Sequence, residues 1–365
     1  MDRNEIHTTM DSLCQLLDYT PPDRAAAGAK QAAMDLDHCA RKPGGINVLL
    51  YGVPGSGKSW TIQQEYCSDE SRMERLVFHP DYTYADFVGQ ILPSVSDDDK
   101  VRYRFAPGPF TRLLKKAYQN PDAEYFLIIE EINRGNAPAV FGEVFQLLDR
   151  TTENGLFPAG TSEYAITNAE IAAIVYGNPE HKVRIPSNMS IVGTMNTSDQ
   201  NVFTLDTAFQ RRWQMRLIEN SFKDHPYADE RILDTEVTWG TFCQAVNKEI
   251  LDANVRMTSS EDKRLGAFFV SAADLRYDPA ADDPGAGKAA HIAAKHQNSR
   301  FPEKVIKYLW DDAFRFSREN VFETGSYKCL EAVMKKFASE KGNDRFAIFK
   351  DGLFRAITGQ SSGEE

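Results

Sequence analysis

The stretch Gly52-Val-Pro-Gly-Ser-Gly57-Lys58-Ser59 limits what this 365-residue chain can fold into more than any other feature. It follows the apolar run Ile46-Asn-Val-Leu-Leu-Tyr51 and precedes a stretch of helical character, so strand, glycine-rich turn and helix succeed one another. The glycines let backbone N–H groups turn inward around an anion, and the helix N-terminus adds favourable positive potential. The spacing predicts a phosphate-binding loop built from Gly52, Pro54, Gly55, Ser56 and Gly57. Lys58 would place a point charge on the terminal phosphates of a nucleotide, Ser59 would offer its hydroxyl to Mg²⁺, and Trp60 would follow at the start of the helix.

Such a loop needs a sheet to carry it. Apolar strand candidates at Asn47–Tyr51, Arg75–His79, Tyr125–Glu130 and Met189–Thr194 alternate with helical patterns. That alternation predicts an α/β fold, a parallel sheet covered by helices, over residues 43–220. Ahead of it, Ile6, Met10, Leu13, Leu16 and Leu17 recur at helical spacing, and residues 1–42 read as a short helical segment. Residues 152–187 read as an inserted hairpin plus a short helix. Residues 221–365 read as a smaller, mostly helical lid, with Phe242–Ala253 and Glu303–Phe322 as helices. Within it, Tyr277–Asn298 is rich in Ala, Asp, Gly and Pro and reads as a mobile loop, and Gly359–Glu365 as a tail without fixed structure.

Two further strand ends carry chemistry. Phe126-Leu-Ile-Ile-Glu130-Glu131-Ile-Asn133-Arg134-Gly-Asn136 ends an apolar strand in two acids, at the sheet edge where ligands of open α/β sheets bind. Glu130 is expected to organise Mg²⁺ and Glu131 to polarise the attacking water; a solvated strand edge is the plainer account of two such acids. Ile191-Val-Gly-Thr-Met195-Asn196-Thr197-Ser198-Asp199 ends a third strand in an amide and an acid. Asn196 could orient the water or sense the terminal phosphate, or simply cap a turn.

In this order and spacing the phosphate loop, Glu130–Asn136, Gly193–Asp199 and Leu205-Asp-Thr-Ala-Phe-Gln-Arg211-Arg212-Trp213 resemble the McrB-type branch of the AAA+ P-loop NTPases. Phe78-His-Pro-Asp-Tyr82-Thr-Tyr84-Ala-Asp86-Phe87 and Lys263-Arg264-Leu-Gly266-Ala-Phe-Phe269 are similar to two more segments of that branch. The resemblance spans about residues 46–270. It implies a hexameric ring with nucleotide between subunits, GTP in the best-known members, and a separately encoded nuclease resembling McrC. It makes Asn196 and Asp199 part of a signature loop, Arg211 or Arg212 a subunit-interface arginine, and Arg264 an arginine of the small domain. The signature loop commonly continues Asp-Arg-Ser, whereas this chain has Asp199-Gln200-Asn201, which puts the role of that arginine in question.

Bulk properties narrow the rest. The formal net charge is −11, opposite to the basic footprint of a chain that grips DNA by itself. Arg102, Arg104, Arg112, Lys115 and Lys116 could line a local basic surface but read more plainly as a solvated helix face and strand end. Five scattered cysteines without a CxxC pair argue against a disulfide framework and a zinc site. No apolar run reaches the ~20 residues of a membrane span, and Met1–Leu17 lacks the layout of a secretory signal, so a cytoplasmic protein is expected. About 42 residues precede the motor, too few for a separate DNA-reading domain, so DNA is expected to be engaged only through partners. A MoxR-like AAA+ chaperone ATPase that remodels protein partners is the rival reading, and a non-hydrolysing nucleotide-dependent scaffold a third, disfavoured by the intact Glu131. A neighbouring nuclease gene would separate restriction from the chaperone.

Overall fold

The structure, a computed structural model, describes residues 40–95, 101–152, 157–196, 203–223, 225–253 and 263–360. The helical reading of residues 1–39 and the C-terminal tail beyond Gln360 fall outside the described residues, as does Asp199. The described chain gathers into two compact units. The first takes residues 40–50, 61–195 and 203–216, and the second 51–60, Asn196 and the described residues from 217 to 360.

Five strands, β1 (Asn47–Gly52), β2 (Met73–Val77), β5 (Tyr125–Glu130), β6 (Met189–Asn196) and β7 (Gln214–Leu217), form one sheet in the order β2-β5-β6-β1-β7. β2 and β5 pair in parallel, as do β5 and β6, with Val77 opposite Glu130 and Ile129 opposite Gly193. The near-continuous apolar runs of β5 and β6 follow from burial on both faces. The helix Pro109–Gln119 covers the sheet through Phe110, Leu113, Leu114 and Ala117, the i, i+3, i+4, i+7 stripe of an amphipathic helix. Proline at its start needs no N–H partner, and the Thr111 hydroxyl donates to the Val88 carbonyl (2.7 Å). Phe78, Phe87, Phe110, Phe141 and Phe209 fill the core beneath.

Among the described residues of 152–187 the expected hairpin appears only as isolated bridges, Arg150 with Ser162 and Ile166 with Val183, the latter flanking the expected short helix at Ala169–Tyr176. Side chains stand in for the missing ladder. The Ser162 hydroxyl donates to the Leu147 carbonyl and accepts from the Ile185 N–H, and the half-buried Arg150 bonds Asn47, Gly160 and Met189.

Sequence reading overlooked β7 and a two-stranded antiparallel ribbon, β3 (Gly89–Val95) with β4 (Val101–Pro107). Arg102 and Arg104 lie within this ribbon rather than at a strand end. Its register puts Ile91, Pro93, Val95, Val101, Tyr103 and Phe105 on one face, and Leu92, Ser94, Arg102 and Arg104 on the other. Of the remaining basic candidates, Arg112 and Lys116 pair with Glu74 at 2.9 and 3.5 Å, as a solvated, ion-paired helix face does.

The second unit is mostly helical beyond the phosphate loop. The helix Trp239–Ala253 extends the expected one at its start, and Trp239, Phe242, Phe301, Phe337 and Phe346 centre the core. The stretch read as a mobile loop is instead largely helix, Lys288–Phe301. The run Lys288-Ala-Ala-His-Ile-Ala-Ala-Lys295 is rich in strong helix formers, and Gly287 supplies the extended residue before it. The later helix, expected as continuous from Glu303 to Phe322, is broken into wide π turns at Pro302–Ile306 and Leu309–Ala313 and a short helix at Arg318–Val321. Pro302 has no N–H to give and its ring crowds the preceding turn, so the Lys307 N–H reaches five residues back to the Pro302 carbonyl. Among the described residues, no helix is long and apolar enough to cross a membrane.

Candidate active site

The second unit holds the phosphate loop. Gly52, Gly55 and Gly57 have φ of 154°, 76° and 100°, so the last two occupy left-handed backbone that a side chain would strain. Lys58 is buried, and its Nζ donates to the carbonyls of Gly52 and Val53 at 3.0 Å each. The ammonium is held inside the curve of its own loop. The buried Ser56 hydroxyl has no hydrogen-bond partner among the described residues. A curved backbone with a captive ammonium and an unsatisfied hydroxyl is suited to an anion, and the polar atoms present fit a polyphosphate.

Residues 263–269 close on this loop. The Phe268 N–H donates to the Gly55 carbonyl (2.7 Å), and a Cβ on Gly266 would lie 2.3 Å from the Gly55 carbonyl carbon. The Phe268 ring lies against Gly57 and stacks on Trp60, whose indole is half exposed, at 5.9 Å. Three side chains grip the segment's backbone. The Asn220 amide bonds the Leu265 carbonyl and the Ala267 N–H, and the Asn247 amide bonds both backbone groups of Leu265. The Trp239 indole N–H donates to Ala267 at 2.8 Å. Sequence reading missed these clamps, because nothing local marks a side chain whose partner lies 18 to 47 residues away. Arg264 lines a cavity of about 760 Å³ with Asn220, Asp229, Asn247 and Lys248. Behind Phe268 stands His225, ring to ring at 4.3 Å, with both nitrogens buried and unbonded among the described residues. Burial pushes its imidazole below the ordinary value, toward the neutral form.

The first unit carries the strand-end acids. β5 ends at Glu130, and Glu131 follows with φ 53° and ψ 47°, a left-handed conformation that few non-glycine residues adopt. The Glu131 N–H donates to the Thr194 hydroxyl (3.1 Å), and that hydroxyl donates to Glu130 Oε2 (2.8 Å). Arg134 Nε meets Glu131 Oε2 at 3.1 Å, and Arg75 approaches Glu130 at 3.7 Å. The structure thus brings Glu130 and Glu131 together on one buried hydroxyl. Asn196 closes β6 and is buried in the second unit.

The two arginines expected at a subunit boundary differ. Arg212 lies over the Phe145 ring at 4.1 Å and bonds Asp149 with Nε and Nη2 at 3.0 and 2.8 Å. Its side chain is 10% exposed, so it is committed to its own subunit. Arg211 is exposed.

Comparison with known proteins identifies what this arrangement belongs to. Residues 47–213 match the family model of the AAA domain, dynein-related subfamily. The BsuMI component YdiS of Bacillus subtilis strain 168, named a type II restriction enzyme component, is 34% identical over 304 residues, 74% of this chain and 79% of that protein. The chain belongs to the McrB-type AAA+ family. The EcoKMcrB subunit of Escherichia coli K12, a type IV methyl-directed restriction enzyme subunit, is 31% identical over 230 residues, 61% of this chain. This chain spans 45% of that longer relative. Membership of the AAA+ class makes the protein a nucleotide-hydrolysing enzyme, with Mg²⁺ as the usual companion ion of its nucleotide. Among the described residues no three His, Cys, Asp or Glu side chains gather into a metal cage. Mg²⁺ commonly takes only one or two protein ligands beside substrate phosphates and water, so a cage of three or more is not needed for it.

Proposed function

We propose that this chain is the motor of a DNA restriction complex, hydrolysing GTP in preference to ATP and driving a separate nuclease subunit. The captive Lys58 in its left-handed glycine loop carries the reading. The buried ammonium is bonded to two neutral carbonyls of its own loop, which an arriving polyphosphate would outcompete by charge. Two relatives that belong to restriction enzymes supply the biological setting, and the resemblance supplies the guanine preference, the ring of six and the McrC-like partner.

In this reading Gly52, Pro54, Gly55, Ser56 and Gly57 present backbone N–H groups to the phosphates, and Lys58 leaves the loop carbonyls to neutralise their charge. Ser59 would offer its hydroxyl and Glu130 its carboxylate to Mg²⁺, whose charge would screen the phosphate oxygens. Trp60 and Arg264 flank the nucleotide. Glu131 accepts a proton from the attacking water, with Asn196 and Asp199 orienting it, and Arg211 of a neighbouring subunit approaches the transferred phosphoryl group. The committed ion pair of Arg212 argues for Arg211 as that finger. The chain's net charge of −11 favours contact with DNA through partners. The test is turnover of GTP and ATP by two variants. Lys58→Ala should lose nucleotide affinity, whereas Glu131→Gln should retain nucleotide and lose hydrolysis; wild-type turnover by Glu131→Gln removes that residue from catalysis. Competition between the two nucleotides decides the base.

A further inference from the structure

We infer that Thr194 is a positioning residue for hydrolysis, fixing Glu130 and Glu131 at once; the inference rests on the hydrolytic reading of those two acids. Thr194 is 1% exposed, on β6, one step beyond the Ile129–Gly193 pair and so level with Glu130. A hydroxyl offers one proton and two lone pairs. Here the proton goes to Glu130 Oε2 at 2.8 Å, and a lone pair receives the Glu131 N–H at 3.1 Å. One buried oxygen therefore orients the side chain of the first acid and the backbone of the second.

The backbone of Glu131 shows why that is needed. Glu131 and Leu233 are the two non-glycine residues of positive φ among the described residues. Such a conformation persists where its surroundings over-determine it. Backbone contacts beside the sheet itself do so here. Thr194 holds the Glu131 N–H, and the Arg134 N–H returns to the Glu131 carbonyl at 2.8 Å. Loss of the Thr194 hydroxyl leaves the Glu131 N–H without this acceptor and lets the turn relax toward ordinary backbone. The Glu131 carboxylate moves with it, while the phosphate loop, which lies in the other unit, keeps its own bonds.

Thr194→Val preserves the branched shape and removes the hydroxyl; Thr194→Ser keeps the hydroxyl and removes a methyl. The expected result is a fall of about 10²-fold in kcat for Thr194→Val, the size of effect that a misplacement of ~1 Å produces. Nucleotide affinity, measured by titration, should stay at the wild-type value, and Thr194→Ser should recover most of the rate. If the valine chain does not fold, Thr194→Cys, with its weaker S–H donor, is read the same way. Wild-type kcat in Thr194→Val beside an inactive Glu131→Gln overturns this inference alone. A parallel loss of affinity, or no recovery with serine, also overturns it, because a packing role predicts both. Wild-type turnover by Glu131→Gln overturns the hydrolytic reading and this inference with it.

Discussion

Gly266→Ala tests how tightly the lid segment and the phosphate loop are fitted to each other. An alanine Cβ at 266 would lie 2.3 Å from the carbonyl carbon of Gly55, 2.4 Å from the Pro54 oxygen and 2.5 Å from the Gly55 oxygen. All three are backbone atoms, so no side chain can swing aside. The segment cannot retreat cheaply either, because Asn220, Asn247 and Trp239 hold the backbone of Leu265 and Ala267. Forcing extra volume into a close-packed site costs about 1–3 kcal/mol. For a unit of this size, at 2–4 °C per kcal/mol, that is about 2–12 °C in melting temperature. Part of the strain should be relieved by displacing Gly55, so nucleotide affinity should fall as well. Gly287→Ala is the control. Gly287 has φ −61° and nothing within 4 Å of its added Cβ, so alanine meets no clash there; the entropy gain of about 0.4–1 kcal/mol is offset by the poorer N-cap, and the net change should be small. Thermal melts followed by circular dichroism, with titration of a fluorescent nucleotide analogue, separate the two. If Gly266→Ala melts and binds like Gly287→Ala, the close fit inferred for this contact is wrong.

Arg211→Ala should leave nucleotide binding intact and lower hydrolysis by about 10³-fold, the low end for arginine fingers, with partial recovery when mixed with Lys58→Ala subunits. Arg212→Ala should instead lower the melting temperature, since it strands Asp149; equal effects of the two on hydrolysis with no change in melting would refute the distinction. Stability should fall in two steps on acidification. His225, neutral in the fold because burial lowers its pKa, contributes a loss as pH drops below the unfolded value of about 6.5, where the unfolded chain takes up the proton first. His225→Phe should erase that step in a pH series of melts. Asp274 supplies the second step. Burial alone would raise its pKa, but the Ser271 N–H and hydroxyl, Lys304 and Arg300 outweigh it and hold the carboxyl well below the usual range. Its contribution is therefore present above about pH 3.9 and lost as pH falls toward the folded value, and Asp274→Asn should flatten the acid limb.

The sheet and the loop were legible in the sequence because both are written locally. A buried parallel strand must be continuously apolar, and a turn around phosphate must be rich in glycine, so Asn47–Ser59 and Tyr125–Glu130 announce themselves. β3 and β4 escaped because Pro93 and the alternation of Tyr103 with Arg102 and Arg104 do not read as a buried strand, and β7 escaped because Gln214–Leu217 is short and largely exposed. The Tyr277–Asn298 reading failed where composition hid propensity: acids, glycines and prolines crowd its first half, and alanines make a helix of the second. At the candidate site, spacing alone singles out Lys58 and the two acids as candidates. Thr194 escapes it, since its importance lies in which two groups share its oxygen, and Arg211 could be told from Arg212 only once Asp149 was placed beside the latter.

The clasp between Gly55 and Phe268 joins positions about 210 residues apart in the chain. A ribosome adding 5–20 residues per second takes roughly 10–40 s to travel that distance. Throughout that interval the nascent loop has emerged, but the backbone that shapes it has not been synthesised. Its glycines remain unclasped, although the carbonyls that seat Lys58 are already present. A growing chain therefore completes the contact between the loop and residues 263–269 late, after most of the polypeptide is made.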